Sequence, residues 1–228
     1  MSQTDTTLVI MARTPRLGAG KTRLAASLGP ATTLRLYRAF LTDLALRFTS
    51  APSCALHWAY TPAESDFAGS LAELLPGTQA GTCFPQHGHD LAERLYQVVR
   101  ETSSRSFART IIIGSDTPQV SLALIEQACL ALDKYDVVLG PAEDGGYYLI
   151  ALREPHDLFT GIPMSTDQVL QTTIARIHAL SLSVHLLDTL FDVDELPDFL
   201  RLASLLREQP ELAPTTAACI LQAMKELV

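Results

Sequence analysis

The chain has 228 residues, 47% of them apolar and 18% charged, which is enough to build a sizeable buried core and excludes wholesale disorder. Its 17 lysines and arginines are outnumbered by 25 aspartates and glutamates, for a formal net charge of −8. That balance excludes the broad cationic face a nucleic-acid binder needs, but leaves room for a local basic pocket that takes a small phosphate ligand.

Short β-rich runs alternate with longer helical patterns along the chain. Strands are predicted at Thr7–Ala12, Ala55–Tyr60, Thr110–Gly114, Asp136–Gly140, Tyr147–Leu152 and Ser183–Leu187. Leu34, Tyr37, Leu41, Leu44 and Phe48 recur at three-four spacing and predict a helix after the first strand. Leu91, Leu95 and Val98 predict another, as do Leu122, Ile125, Cys129 and Leu132, and a further helix follows Ser165. Only Pro-Ala-Glu-Asp-Gly-Gly joins Asp136–Gly140 to Tyr147–Leu152, too short for a helical crossover, so an antiparallel pair is expected inside a mostly parallel, mixed sheet. Beyond Asp194 the pattern gives two helices broken at Pro210 and Pro214. The expectation is one α/β domain over residues 1–228, a three-layer sandwich with a core of about 8–200 and C-terminal helices over 195–228.

The cysteines, Cys54, Cys83, Cys129 and Cys219, form no C-x-x-C, so neither a disulfide framework nor a zinc site is expected. No apolar run approaches about 18 residues and no signal-like segment opens the chain, which gives a soluble, cytoplasmic expectation with no membrane span.

Four segments carry chemistry. The first strand runs into Arg13-Thr-Pro-Arg-Leu-Gly-Ala-Gly-Lys-Thr-Arg23, in which Gly18 and Gly20 precede Lys21, Thr22 and Arg23. A strand, a glycine-containing loop and a helix opening with cations is an arrangement for phosphate. The G-x-x-x-x-G-K-[ST] pattern fails where its first glycine should stand, because Pro15 offers no N–H there; this argues against a P-loop kinase or ATPase. The apolar run Ile111–Ile113 ends in Gly-Ser-Asp116, placing a carboxylate at the sheet's carboxyl edge, where open α/β folds bind ligands. Asp116 can equally serve as a turn or cap residue. Glu143 and Asp144 stand beside Gly145, and Asp192 and Asp194 share one face if extended. A basic loop plus separated carboxylates at strand ends describes Mg²⁺-assisted nucleotide chemistry. His87 and His89 have no partner ligands at useful spacing, and Ser165–Gln168 reads as a capping box or a substrate contact.

Together these segments resemble the bacterial family called radical-SAM/selenodomain-associated transferase 1. The resemblance rests on Arg13–Leu24, on Gln86-His-Gly-His-Asp90-Leu-Ala-Glu-Arg94, on Gly114–Pro118, on Gly140–Tyr147 and on Asp192-Val-Asp194, in that order. It implies the nucleotide-diphospho-sugar transferase (GT-A), Rossmann-like fold and glycosyltransferase activity, with a more distant similarity to phospholactate guanylyltransferase and the molybdenum-cofactor nucleotidyltransferases. It further implies Lys21 and Arg23 on phosphate and Mg²⁺ (or Mn²⁺) on Asp116, Asp192 and Asp194. Arg13, Gly18, Gly20 and Thr22 would contact the nucleotide, Gln86 and Asp90 would lie in a loop near the nucleotide or acceptor, and Glu143, Asp144, Gly145, Tyr147, Met164 and Ser165 would contact the acceptor. Arg13 stands where lysine is usual, Met164 where tryptophan often is, and Glu195 where threonine is common. The expected partners are a nucleoside triphosphate or nucleotide sugar and a small acceptor. A catalytically weak nucleotide-binding regulatory module is the alternative from a different class.

Overall fold

The computed structural model describes residues 5–49, 51, 53–164 and 166–226. Its elements are, in chain order, β1 (Thr6–Arg13), α1 (Thr22–Leu28), α2 (Pro30–Thr49), β2 (Ala55–Thr61), α3 (Phe67–Leu74), β3 (Thr82–Pro85), α4 (Leu91–Ser104), β4 (Arg109–Gly114), α5 (Leu122–Ala131), β5 (Val137–Pro141), β6 (Tyr147–Leu152), α6 (Val169–Ala179), β7 (Val184–Leu186), α7 (Leu196–Glu208) and α8 (Pro214–Glu226). The strands form a seven-stranded sheet in the order β3-β2-β1-β4-β6-β5-β7. β6 runs antiparallel to both of its neighbours, β4 and β5, and the other pairings are parallel. This is the mostly parallel mixed sheet that the short β5–β6 connection predicts.

Period-two alternation splits each central strand between two cores. Leu8, Ile10, Ile111 and Ile113 pack with residues of α2, α5, α7 and α8 on one face. Val9, Ile112 and Ile150 pack with α4 and α6 on the other. The result is three layers, helix–sheet–helix.

Local chemistry sets the helix boundaries. Asp66, Asp90 and Ser121 cap α3, α4 and α5 with side-chain acceptors. α2 opens on Pro30, where a missing N–H costs nothing. The start of α8 is capped from a distance: Asp43 of α2, 2% exposed, accepts from the Thr215 and Thr216 N–H groups at 2.9 and 2.7 Å.

Two elements escape the sequence reading. β3 is an edge strand of four residues, too short to show alternation. α3 is eight residues long and carries Gly69 and Ser70, which weaken its helical signal. Among the described residues no helix is long and apolar enough to cross a membrane.

The order reverses at the middle of the sheet. From β1 the chain winds outward through β2 and β3, then crosses back to β4 on the other side of β1. The crevice beyond the carboxyl ends of β1 and β4 is therefore the switch point at which open α/β sheets take ligands.

Candidate functional site

A cavity of about 340 Å³ opens at that switch point. It is lined by the loop after β1, the end of β4, the segment from Gln86 to Leu95, and Tyr147 at the start of β6. Its charged lining consists of Arg13, Arg16, Lys21 and Arg94 against Asp116 alone. In a chain of net charge −8, that lining is a local reversal of sign. Leu91, Leu95, Ile112 and Ile150 give it an apolar side able to hold a flat ring.

The basic loop is shaped by its backbone. Gly20 adopts φ +99°, and a side chain there would press on Arg13 Cδ at 3.1 Å. Lys21 itself sits in the left-handed region, φ 47° and ψ 42°, as the N-cap of α1, while Thr22 is that helix's first residue. The Tyr37 hydroxyl, fully buried, ties the loop to β4: it accepts from the Arg13 N–H at 2.9 Å and lies 3.0 Å from both the Arg13 carbonyl and Ser115 Oγ. Burial, reinforced by the charge of Asp116, raises its pKa far above that of a free phenol.

Lys21 is not an exposed loop cation. Its side chain is 8% exposed, with Nζ 2.7 Å from Asp116 Oδ1 and 3.6 Å from Asp194 Oδ1, and it donates to the Val193 carbonyl at 2.7 Å. The reason is tertiary: α1 packs against α7, bringing the segment leading into α7 over the loop. Arg23 lies outside the cavity lining and pairs with Glu195 at 2.6 Å and Asp194 at 3.0 Å, contacts that raise its pKa.

The three separated aspartates meet at one edge of the sheet. The Val193 N–H donates to the Asp116 carbonyl at 3.1 Å, so the Asp192–Asp194 segment is pinned directly beside β4. Asp192 turns inward and accepts a hydrogen bond from the Thr117 hydroxyl. Burial pushes its carboxyl up to about 6; Asp116, Asp144 and Asp194 add to that, and Thr117 opposes it. Oxygen donors of this kind suit Mg²⁺ or Mn²⁺. In donor chemistry the residues fit the ion. Among the described residues, however, no three His, Cys, Asp or Glu side chains close around a single point, and two of the expected ligands instead face an ammonium.

The β5–β6 turn lies near this acidic pole. Both carboxylate oxygens of Glu143 are held by Arg201 of α7, at 2.5 and 2.7 Å, and the Arg201 guanidinium lies 4.0 Å over the Phe191 ring. Asp144 accepts from the Gly146 N–H at 2.9 Å. Gly145, at φ +89°, leaves no room for a side chain against the Asp167 carbonyl. The Tyr147 hydroxyl is buried with no hydrogen-bond partner among the described residues. Met164 packs on the α4–α6 side of the sheet and is not among the residues that line the cavity. Ser165 lies outside the described residues.

Gln86 works as a staple at the carboxyl edge. Its side-chain amide donates to the Ala59 carbonyl at 2.7 Å and its backbone N–H to that of Tyr60 at 2.7 Å. Asp90 caps α4 by accepting from the Glu93 N–H at 2.8 Å and does not line the cavity. Sequence reasoning passed over Arg94 as a site residue, although it closes the Gln86–Arg94 motif. It lines the cavity, with Nε anchored on the Gly88 carbonyl at 3.1 Å.

Residues 44–166 match the model of DUF2064, described as an uncharacterized protein family conserved in bacteria. The chain belongs to DUF2064. No curated protein matches it. Among solved structures, this DUF2064 chain is 28% identical to a provisionally assigned nucleotide-diphospho-sugar transferase from Desulfovibrio desulfuricans G20, with a TM-score of 0.85 over 97% of this chain and 99% of that one. Two further structures share the DUF2064 chain's fold. CMP:2-keto-3-deoxy-manno-octonic acid synthetase, solved with CTP, is 12% identical with a TM-score of 0.57, over 90% of this chain and 99% of its own. The 4-diphosphocytidyl-2C-methyl-D-erythritol synthase of Anaerococcus prevotii DSM 20548 is 7% identical with a TM-score of 0.58, over 89% and 97%. The fold is that of nucleotide-diphospho-sugar transferases and cytidylyltransferases.

Proposed function

We propose that the chain is a transferase that takes a nucleotide donor in the switch-point crevice and passes a nucleotidyl or glycosyl group to a small acceptor. The observation that carries this reading is the cationic lining of Arg13, Arg16, Lys21 and Arg94 beside an apolar wall, in an otherwise acidic protein. Phosphate oxygens are met by the cations, and the nucleoside by the apolar side. Asp116, Asp192 and Asp194 would hold Mg²⁺ or Mn²⁺, which when bound neutralises charge developing on the phosphates. The acceptor hydroxyl attacks directly, with the pyrophosphate or nucleoside diphosphate leaving towards the basic loop. Arg201 already engages Glu143, which makes Asp144 the carboxylate of that turn available to an acceptor hydroxyl. The five sequence motifs support a place in the radical-SAM/selenodomain-associated branch of the family, and the composition supports a cytoplasmic enzyme.

Thermal unfolding in the presence of nucleoside triphosphates and nucleotide sugars, with and without Mg²⁺, tests the reading. A ligand at about a hundred times its Kd stabilises by about 2.7 kcal/mol, which for a chain of this length raises Tm by roughly 5–10 °C. A shift with a triphosphate alone favours nucleotidyl transfer, and one with a nucleotide sugar alone favours glycosyl transfer. No shift with any nucleotide overturns the proposal.

A further inference from the structure

Three oxygen atoms from two separate stretches of chain surround the Lys21 ammonium. They are Asp116 Oδ1 and the Val193 carbonyl, each at 2.7 Å, and Asp194 Oδ1 at 3.6 Å. Of the chain's three lysines, Lys134 and Lys225 are exposed, whereas the Lys21 side chain is 8% exposed. Two carboxylates and a carbonyl are also oxygen donors of the kind a hard divalent cation takes, at about 2.0–2.1 Å from each donor for Mg²⁺, with waters and substrate phosphates completing its shell. An ammonium and a divalent ion cannot both use Asp116 Oδ1 at those distances without strong repulsion.

We propose that Lys21 and the divalent cation are alternative occupants of one cage, so that metal loading expels the Lys21 ammonium and delivers it to the nucleotide phosphates. This rests on the nucleotide-transferase reading above and adds an order to it. Without metal, Lys21 is spent on Asp116 and Val193, and the phosphates meet only the arginines. With metal, the flexible four-carbon stem carries three donors into the cavity that Lys21 already lines. Arg23 cannot substitute, because it lies outside the cavity lining and remains paired with Glu195 and Asp194.

The test is made on nucleotide-free, metal-stripped protein, titrated with Mg²⁺ and with Mn²⁺ by calorimetry. Lys21→Met removes the competing charge and keeps an apolar stem of similar length, so it binds metal more tightly than wild type, by roughly tenfold or more. A lysine that serves only the phosphates would leave nucleotide-free metal affinity unchanged. Unchanged or weaker metal binding in a Lys21→Met protein that retains its circular dichroism, or no metal binding by either protein, overturns the exchange.

Acetylation footprinting of wild type reads the same event without a mutation. Lys21 reacts slowly beside Lys134 and Lys225, faster when Mg²⁺ is added, and slowly again when a nucleoside triphosphate follows. A Lys21 reactivity indifferent to Mg²⁺ overturns the exchange. The nucleotide reading fails separately, on the absence of any nucleotide-induced thermal shift.

Discussion

Asp192 is pulled in two directions, by burial and three neighbouring carboxylates towards its neutral form and by the Thr117 hydroxyl towards its charged one. Burial wins, and the carboxyl is raised from 3.8 to about 6. A raised carboxyl holds its proton longer in the folded than in the unfolded chain. Its contribution to stability is therefore fully present below about pH 4 and lost as pH rises through about 6. Asp192→Asn keeps the shape and an acceptor for Thr117 but removes the buried charge. In metal-free buffer this variant should be more stable than wild type at pH 8, by about 1–3 kcal/mol, with the gain vanishing towards pH 4. Urea unfolding at the two pH values decides it; a variant less stable at pH 8 would show that the carboxylate is already compensated. The same residue shows how far a sequence can be read. Asp-x-Asp spacing predicts a local pair, but not that one member turns inward onto Thr117 while the other reaches Lys21 and Arg23. Those partners are fixed only when strands and helices far apart in sequence are brought together.

α8 depends on a cap that its own sequence does not supply. Asp43, in the middle of α2, accepts the Thr215 and Thr216 N–H groups while almost fully buried. Asp43→Ala strands two donors and should cost about 2–3 kcal/mol. Amide exchange should accelerate in α8 well before it does in β1 or β4; uniform exchange across the chain would assign Asp43 no special part in that helix. The helices with long apolar stripes, α2, α4 and α5, were legible because their periodicity is strong. α3 and β3 were not, being short and weakly patterned. In the site, the basic loop and Asp116 stood out by composition. The Glu143–Arg201 pair did not, because Arg201 looks like any surface cation until α7 is packed beside Phe191.

At the scale of the molecule, the tail is part of the main core. Ile220 and Ala223 of α8 and Phe199, Leu202 and Leu206 of α7 share one cluster with Leu8 and Ile10 at the centre of the sheet. Arg47 of α2 donates to the Leu212 carbonyl between the two helices. A chain ended at Gln209 would uncover that face and leave the Asp43 carboxylate without its partners. It should lose its cooperative calorimetric transition, whereas a sharp transition close to that of the whole chain would show that the first 209 residues hold the core without α8. The long span of the Lys21–Val193 and Arg23–Glu195 contacts, each 172 residues, has a further consequence during synthesis. While the chain is still growing, the basic loop has emerged but its acidic counterweight has not been made. A nascent protein therefore carries Lys21 and Arg23 without Asp194 and Glu195 for most of its translation, and the Lys21 charge stays open to solvent polyanions until the finished fold buries it.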